Sequence, residues 1–179
     1  MHTKRVILSG FLLVALLLPV LGDDVFSSYD QALGVQAGRL AGIGASYQKW
    51  YPFFGFQIAG GAFLHPNMEE GRDRYACNIG SEVQLPLISH TINSFLAGRV
   101  YLVAGLHHRS YQKAKDSGGG TYVPDEVVVQ FGAGAGLAVE TVLFEHFSLT
   151  TGFVYVGLYT VEGSLDLDMY PQVAIRYRY

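Results

Sequence analysis

Apolar residues alternate with small or polar ones along much of this chain, a period of two that is typical of β-strands whose faces meet different surroundings. Between Arg74 and Leu85 most odd positions are apolar, whereas the even positions carry Arg, Ala, Asn, Gly, Glu and Gln. From Glu126 to Glu140, Val, Phe, Ala and Leu on one face oppose mainly Gly, Gln and Glu on the other. Helical spacing fits neither segment, so the pattern predicts an all-β chain.

The alternation predicts eight strands in total. Short connections between several of them favour antiparallel pairing of neighbours and closure into an up-and-down barrel. The predicted strands are Gln31–Gly38, Ile43–Trp50, Phe53–Leu64, Arg74–Leu85, Phe95–His108, Glu126–Val139, Phe147–Leu158 and Tyr170–Tyr179.

The predicted connections differ at the two ends of the strands. Those after strands two, four and six are short or moderate, whereas those after strands three, five and seven are longer and polar. Short turns on one side and long loops on the other are typical of membrane-spanning β-barrels. The first loop, Arg39–Gly42, is a short exception. In chain order the others are Tyr51-Pro52, His65–Asp73, Pro86–Ser94, Arg109–Asp125, Glu140–His146 and Tyr159–Met169.

The chemistry of the two faces favours a membrane barrel over a soluble one. A soluble barrel needs a charged outer surface, but only 15% of the chain is charged, against about 25% in a typical domain. One strand face carries Val, Ile, Leu, Phe and Tyr, and we expect it to face lipid. Charges concentrate in predicted loops, for example at Glu69, Glu70, Lys113 and Lys115.

Residues 1–22 have the layout of a secretory signal peptide. Lys4 and Arg5 precede the apolar stretch 6–20, and a small residue ends a cleavage site. The chain is therefore predicted to be exported, with residues 23–179 forming one barrel domain. An uncleaved membrane anchor is the alternative, but the apolar stretch is short for a spanning helix, which needs about 20 residues.

Charge and cysteine content exclude other classes of protein. The formal net charge is -3, so the chain lacks the basic surface that nucleic-acid binding requires. Cys77 is the only cysteine, which excludes an intramolecular disulfide and a cysteine-based metal cluster. It falls on the apolar side of its strand, where we expect it to face lipid as a small hydrophobic residue.

The last strand, Pro171–Tyr179, alternates and ends on an aromatic residue, and the segments Ala32–Gly38 and Gly42–Tyr47 form a glycine-containing opening hairpin. On these features the chain resembles the small eight-stranded outer-membrane β-barrel proteins, the group that includes OmpA-type and OmpW-type barrels. The resemblance covers residues 23–179. It implies an outer membrane of the Gram-negative cell envelope, contact with outer-membrane lipids, and recognition of the strand ending at Tyr179 by the barrel-assembly machinery. A monomer is expected.

Two segments look like functional motifs but lack the required spacing. Gly132–Gly136 would need glycine in place of Leu137 or Val139 to match the G-x-G-x-x-G nucleotide-binding pattern. Its small residues are expected to face a narrow lumen. In the segment His107–Ser110, His108 and Arg109 are neighbours on a strand and point to opposite faces, so they cannot both face one catalytic site. His107 and His108 are expected to be a histidine pair at the end of a strand, at the wet rim of the barrel. The sequence predicts no catalytic, cofactor-binding or metal-binding residue.

Five charged residues fall on the polar side of the predicted strands, and we expect them to form ion pairs in the lumen. The interior of an eight-stranded barrel is just wide enough for side chains to fill it, which favours pairing over a solute pathway. A turn centred between His90 and Thr91 would place Glu82 directly opposite Arg99. The five residues are Glu82, Arg99, Glu140, Arg176 and Arg178.

These features favour a non-enzymatic role in the envelope, either structural or in surface interactions through the three longer loops. Two alternatives belong to other functional classes. One is a narrow, porin-like pore or conduit for small solutes, including hydrophobic ones, and the other is a lipid-modifying outer-membrane enzyme. Conductance measurements would separate the first two roles, and a mass shift of lipid A on expression would identify the third.

Overall fold

The chain forms a short helix and eight strands, each antiparallel to its neighbour in sequence, with β8 paired to β1 to close a barrel. The all-β class, the eight strands and their up-and-down order are thus confirmed. None of the described helical residues forms a helix long and apolar enough to span a membrane. The predicted signal peptide, 1–22, lies outside the described residues. The computed structural model describes residues 25–65, 73–93, 95–118, 121–161 and 163–179.

Within the described residues a short helix precedes the barrel, and neighbouring strands are joined by hairpins. The elements are α1 (Val25–Ser28), β1 (Gln31–Gly38), β2 (Gly42–Trp50), β3 (Gly55–Leu64), β4 (Asp73–Asn93), β5 (Leu96–Asp116), β6 (Tyr122–Leu143), β7 (Phe147–Thr160) and β8 (Leu165–Arg178). We call the end of the barrel that carries the β2–β3, β4–β5 and β6–β7 connections the turn end, and the opposite end the loop end.

The strands differ in length around the barrel. Strands β1 to β3 have 8, 9 and 10 residues, whereas β4 to β6 have 21, 21 and 22. The long strands continue past the loop end as the β4–β6 extension, formed by residues 73–77, 109–116 and 122–129, and β3 is still paired with residues 75–77 at its base. Most of the predicted loop Arg109–Asp125 is therefore strand. Its polar side chains hide the alternation, but its backbone N–H and C=O groups pair all the same.

Strand β4 continues beyond its predicted end at Leu85, through Pro86, to Asn93. Pro86 lies opposite Tyr101, and the register shifts by one residue between Pro86 and Ile88. A bulge of this kind accommodates the missing N–H group of proline without ending the strand. The prediction of a turn that starts at Pro86 is wrong for this reason.

Inward and outward positions follow the predicted parity. On β7, for example, Thr150 and Val154 are buried while Leu149 and Phe153 are exposed. The same alternation runs along β8, where Ala174 is buried and Ile175 exposed. The outer surface of the barrel is therefore apolar, and the inner surface is built mainly of polar and small residues.

The strands are strongly staggered. If each residue is followed to its partner on the next strand, a path that starts at Val35 on β1 runs once around the barrel and reaches β8 at Leu165. Val35 itself pairs with Ile175. The difference between Ile175 and Leu165 is a stagger of ten residues, which goes with strands tilted by about 35–45° and a lumen narrow enough for side chains to fill.

The β1–β2 hairpin ends below the strands on either side of it. Its ladder with β8 stops at Ala37 opposite Val173, and its ladder with β3 stops at Ala45 opposite Gly60. Residues 165–172 of β8 and 61–64 of β3 therefore have no described strand on that side. We call the resulting gap in the barrel wall, above the hairpin tip, the notch.

Candidate functional site

The lumen holds three stacked layers of buried side chains, and the layer at the turn end is an ion-pair network. Glu140 is fully buried between two arginines. Nη1 of Arg178 donates a hydrogen bond to Oε1 of Glu140 at 3.1 Å, and Nη1 of Arg99 lies 4.0 Å from Oε2. The hydroxyl of Ser148 donates to the same Oε1 at 2.6 Å. The two arginines and the hydroxyl compensate the buried carboxylate, as a charge inside a protein requires.

Helix α1 closes the lumen below this network. Val25 and Phe26 are 6% and 5% exposed, and the ring of Phe26 lies 4.0 Å from the guanidinium carbon of Arg99. The ring of Trp50 lies 3.9 Å from the same guanidinium carbon. Two aromatic rings beside one cation are a favourable arrangement where all three groups are largely buried. The segment that follows the predicted signal peptide is therefore part of the lumen packing.

The predicted pairing of Glu82 with Arg99 is wrong. Glu82 lies opposite Gly105, and Arg99 lies opposite Glu140 on β6. Because β4 runs on to Asn93, the hairpin turn comes later than predicted and the register moves with it. All five charged residues point inward, as predicted, and are at most 6% exposed. The expected ion pairing holds among the described residues for Arg99, Glu140 and Arg178, whereas Glu82 and Arg176 have neutral hydrogen-bond partners.

Arg176 organises the middle layer, where its partners are neutral. Its Nε donates to the hydroxyl of Ser46 at 2.9 Å and its Nη1 to the hydroxyl of Thr150 at 3.1 Å. Its Nη2 donates to the side-chain oxygens of Gln36 and Gln57. One arginine thereby joins strands β1, β2, β3 and β7 to β8 across the interior.

A chain of glutamines extends the middle layer towards β4. Gln48 donates to the side-chain oxygen of Gln84 at 2.8 Å, and Gln84 donates to that of Gln57 at 3.0 Å. Gln84 also lies 3.4 Å from a carboxylate oxygen of Glu82. Side-chain networks of this kind rigidify a polar interior when their members are satisfied.

The third layer is apolar and lies towards the loop end. Leu40 and Ala41, in the first loop, fold into the lumen and have no exposed surface. Leu40 packs in the same cluster as Val154, Val156 and Leu158 of β7. The first loop thus fills the lumen at the loop end, which explains why it is shorter and less polar than the other loops at that end.

The glycines of β6 make room for this apolar layer. Gly132, Gly134 and Gly136 lie opposite Leu158, Val156 and Val154. A Cβ at Gly136 would lie 2.1 Å from the carbonyl oxygen of Phe153, so no larger residue fits without backbone movement. The glycines of this segment lie on the inner side of β6, in contact with the facing residues of β7. This agrees with the prediction that its small residues face the lumen.

His107 and His108 lie on opposite faces of β5, as neighbours on a regular strand do. His107 is buried on the inward side, whereas the ring of His108 packs against Phe131 on the outward side, with 5.0 Å between centroids. Cys77 is half-buried and shares the outward parity of the exposed Ile79. Among the described residues, no group of three or more His, Cys, Asp and Glu side chains is placed to hold a metal ion.

The sequence did not predict the two segments that close the lumen, α1 with Phe26 and the first loop with Leu40, nor the partner of Arg99. Leu40 and Phe26 stand in short segments without periodicity, so no alternation marks them as inward. Their apolar character outside any predicted strand was the available signal. The pairing of Arg99 with Glu140 depends on the β5–β6 register, which the side-chain pattern alone does not determine.

The comparisons with known proteins place the fold. No protein-family model matches this chain, and no curated protein matches it. Among solved structures it is similar to the N-terminal β-barrel domain of Pseudomonas aeruginosa OprF, with a TM-score of 0.53 and 13% sequence identity. The similarity covers 84% of this chain and 98% of that domain. The chain therefore has the fold of that eight-stranded β-barrel domain, which confirms at the level of fold the resemblance seen in the sequence.

Proposed function

We propose that this chain is a small integral protein of the outer membrane with a structural or surface-interaction role, and that its lumen does not conduct ions. The observation that carries the proposal is the filled lumen. Phe26, the Glu140 network, Arg176 and Leu40 occupy successive levels of the interior. An ion would have to displace buried side chains at each level, and at the Glu140 and Arg176 levels it would also have to break their hydrogen bonds, which costs free energy.

The outer surface supports a membrane location. Large apolar side chains are exposed around the barrel, including Leu102, Leu137, Phe153 and Ile175. A soluble monomer rarely exposes apolar patches larger than a few hundred Å², whereas the lipid-facing band of a membrane barrel is apolar throughout. The predicted signal peptide and the aromatic last strand support export and recognition by the barrel-assembly machinery.

The β4–β6 extension supports a surface role. Its three strands carry exposed or half-exposed side chains on both faces, among them Lys113, Lys115 and Val127. Backbone pairing makes it more rigid than a loop of the same length, and rigid surfaces lose less entropy on binding. We propose it as the main contact surface, in place of the three separate loops expected from the sequence.

The two alternative functions receive less support. A pore or conduit needs a continuous path, and the three layers of buried side chains speak against one. A lipid-modifying enzyme needs a nucleophile and base within hydrogen-bond reach, and His107 and His108 lie on opposite faces.

Planar-bilayer recording tests the proposal. The refolded chain should give no steady current steps, while a conducting porin in the same bilayer set-up gives them. Heat-modifiable migration of the same sample on a gel establishes that a folded barrel was tested. Repeated, resolved current steps from the folded chain would overturn the non-conducting role and favour the pore.

A further inference from the structure

The notch lies beside apolar outer surface. On β8 the last residue paired to β1 is Val173, yet the outward positions above it are still apolar and exposed. They include Met169, Leu167 and Leu165, which are 60%, 56% and 70% exposed. The β1–β2 hairpin therefore ends several residues short of the top of the apolar band. If the chain spans the outer membrane as proposed, the notch opens at the depth of the outer leaflet.

Unpaired backbone groups at that depth are costly, because hydrocarbon offers them no hydrogen bonds. The structure satisfies part of the edge itself. The side-chain oxygen of Asn78 accepts from the N–H of Ile43 at 2.6 Å, and its amide nitrogen donates to the carbonyl oxygens of Ile43 and Gly61 at 3.1 and 3.2 Å. On residues 165–172 the carboxylate of Asp168 accepts a hydrogen bond from the N–H of Met169 at 2.7 Å. Polar groups from the surroundings are needed for the remaining backbone groups of that free edge.

Arg39 stands at the hairpin tip, on the floor of the notch. It is half-exposed, and the ring of Tyr170 lies 5.6 Å from its guanidinium carbon. Within the described residues it makes no ion pair. An arginine at the level of lipid headgroups, with its donors available, is suited to bidentate hydrogen bonding with a phosphate.

Two apolar grooves flank the hairpin on the outer surface. The groove towards β8, of about 350 Å³, is lined by Ala37, Ile43, Pro171 and Val173 and reaches Arg39. The groove towards β4, of about 560 Å³, is lined among others by Leu33, Tyr47, Ile58, Cys77 and Ile79. A cation that lines one apolar groove, with a second apolar groove on the same hairpin, matches a molecule with one anionic head and more than one hydrocarbon chain.

We propose that the notch binds one phosphorylated outer-leaflet lipid, with its phosphate on Arg39, its polar headgroup along the free edge of β8, and its acyl chains in the two grooves. The inference rests on the proposed membrane location. It assigns a lipid site to the side of the barrel where the β1–β2 hairpin is shorter than the strands on either side.

The acidic residues beside the notch limit the proposal to direct binding by arginine. Asp166 accepts a hydrogen bond from the hydroxyl of Tyr170 at 3.2 Å, and Asp168 lies two residues further along β8. If a divalent cation held the phosphate through these carboxylates, removing them would weaken lipid binding. In direct binding, Asp168→Asn leaves binding unchanged or strengthens it, because one repulsive charge is lost.

Lipid quenching tests the site through Cys77, which lines the β4-side groove. The folded chain carries a bimane on Cys77 and is inserted into phosphatidylcholine vesicles that contain either dibrominated phosphatidylglycerol or dibrominated phosphatidylcholine. Half-maximal quenching of the bimane fluorescence should need a mole fraction of brominated phosphatidylglycerol about fivefold lower than of brominated phosphatidylcholine. This is the preference expected from one basic residue near an anionic headgroup. Arg39→Gln should abolish that preference. Lys49→Gln, which removes an outward charge at the other end of β2, should leave it intact.

Each outcome separates the lipid site from the membrane location. Absence of quenching by either brominated lipid would contradict the lipid-facing position of Cys77 and the membrane barrel itself. Equal quenching by the two lipids, or a preference that survives Arg39→Gln, would overturn the lipid site alone. Loss of the preference in Asp168→Asn would also overturn it, in favour of a cation bridge. Native mass spectrometry of the unlabelled chain, scored for retained phosphatidylglycerol against phosphatidylcholine, gives the same comparison if the bimane disturbs folding.

Discussion

Glu140 has two arginine partners and no exposure to solvent. A buried ion pair adds little net stability compared with an apolar pair, but removal of one partner leaves an uncompensated charge. The three residues come from β5, β6 and β8, so the network also fixes how these strands meet at the turn end. Its energetic role is therefore in specifying the packing, and it becomes visible when it is broken.

Glu140→Gln should lower the free energy of unfolding by about 3–5 kcal/mol, because Arg99 and Arg178 lose their counter-charge. The double variant Glu140→Gln with Arg178→Met should cost less than the sum of the single variants, with a coupling of about 1–3 kcal/mol. Urea unfolding in detergent micelles measures both quantities.

The matched control for this cycle is Glu82→Gln combined with Arg99→Met. These two residues are not opposite each other, so their coupling should be close to zero. Additive effects at Glu140 and Arg178, or a larger coupling between Glu82 and Arg99, would contradict the register described here.

The same residues show what sequence can and cannot provide at this scale. The inward direction of Glu82, Arg99 and Glu140 follows from strand parity, which is local and visible in the chain. Their partners depend on where a turn begins and where a bulge shifts the register, and Pro86 conceals both because it usually ends a strand.

At the scale of elements, the contact between β6 and β7 pairs small residues with larger ones. Glycines on β6 oppose Val154, Val156 and Leu158 on β7, and this interdigitation keeps the apolar layer free of gaps. The alternation of glycine with alanine was evident from the sequence, but its purpose required the facing strand.

Gly136→Ala should destabilise the barrel by about 1–3 kcal/mol, because the added Cβ meets the backbone of Phe153 at 2.1 Å. Gly98→Ala on β5 is the matched control. The nearest atom to its added Cβ is 4.0 Å away, so stability should be unchanged or rise by up to about 1 kcal/mol through the unfolded state. Equal losses in the two variants, measured by urea unfolding, would show that the tight β6–β7 contact is unimportant.

For the whole molecule, eight strands and their order could be predicted because each strand carries its own alternation. The length of each strand, and so how far it extends beyond its neighbours, could not be predicted. Above the apolar band, residues 109–116 and 122–129 are exposed or half-exposed on both faces, so their side chains have no period to display. Below the band, β4 runs past Leu85 because backbone pairing continues through a bulge.

The orientation of the barrel can be tested with single cysteines in a Cys77→Ser background. Lys115→Cys, in the β4–β6 extension, should react with an impermeant maleimide on intact cells. Tyr51→Cys, in the β2–β3 connection at the turn end, should react only after the cells are lysed. Labelling of Tyr51→Cys alone on intact cells would reverse the proposed orientation.

The seam between β1 and β8 joins the two ends of the chain, and it is short, running only over residues 32–37 of β1. Every other ladder is a hairpin between sequence neighbours and closes a small loop, whereas the seam closes a loop of the entire barrel. Loop-closure entropy grows with the length of chain enclosed, and local pairings form before distant ones. The seam is therefore the last ladder to form and the first to open, so its backbone amides should exchange with deuterium before those of β5 and β6.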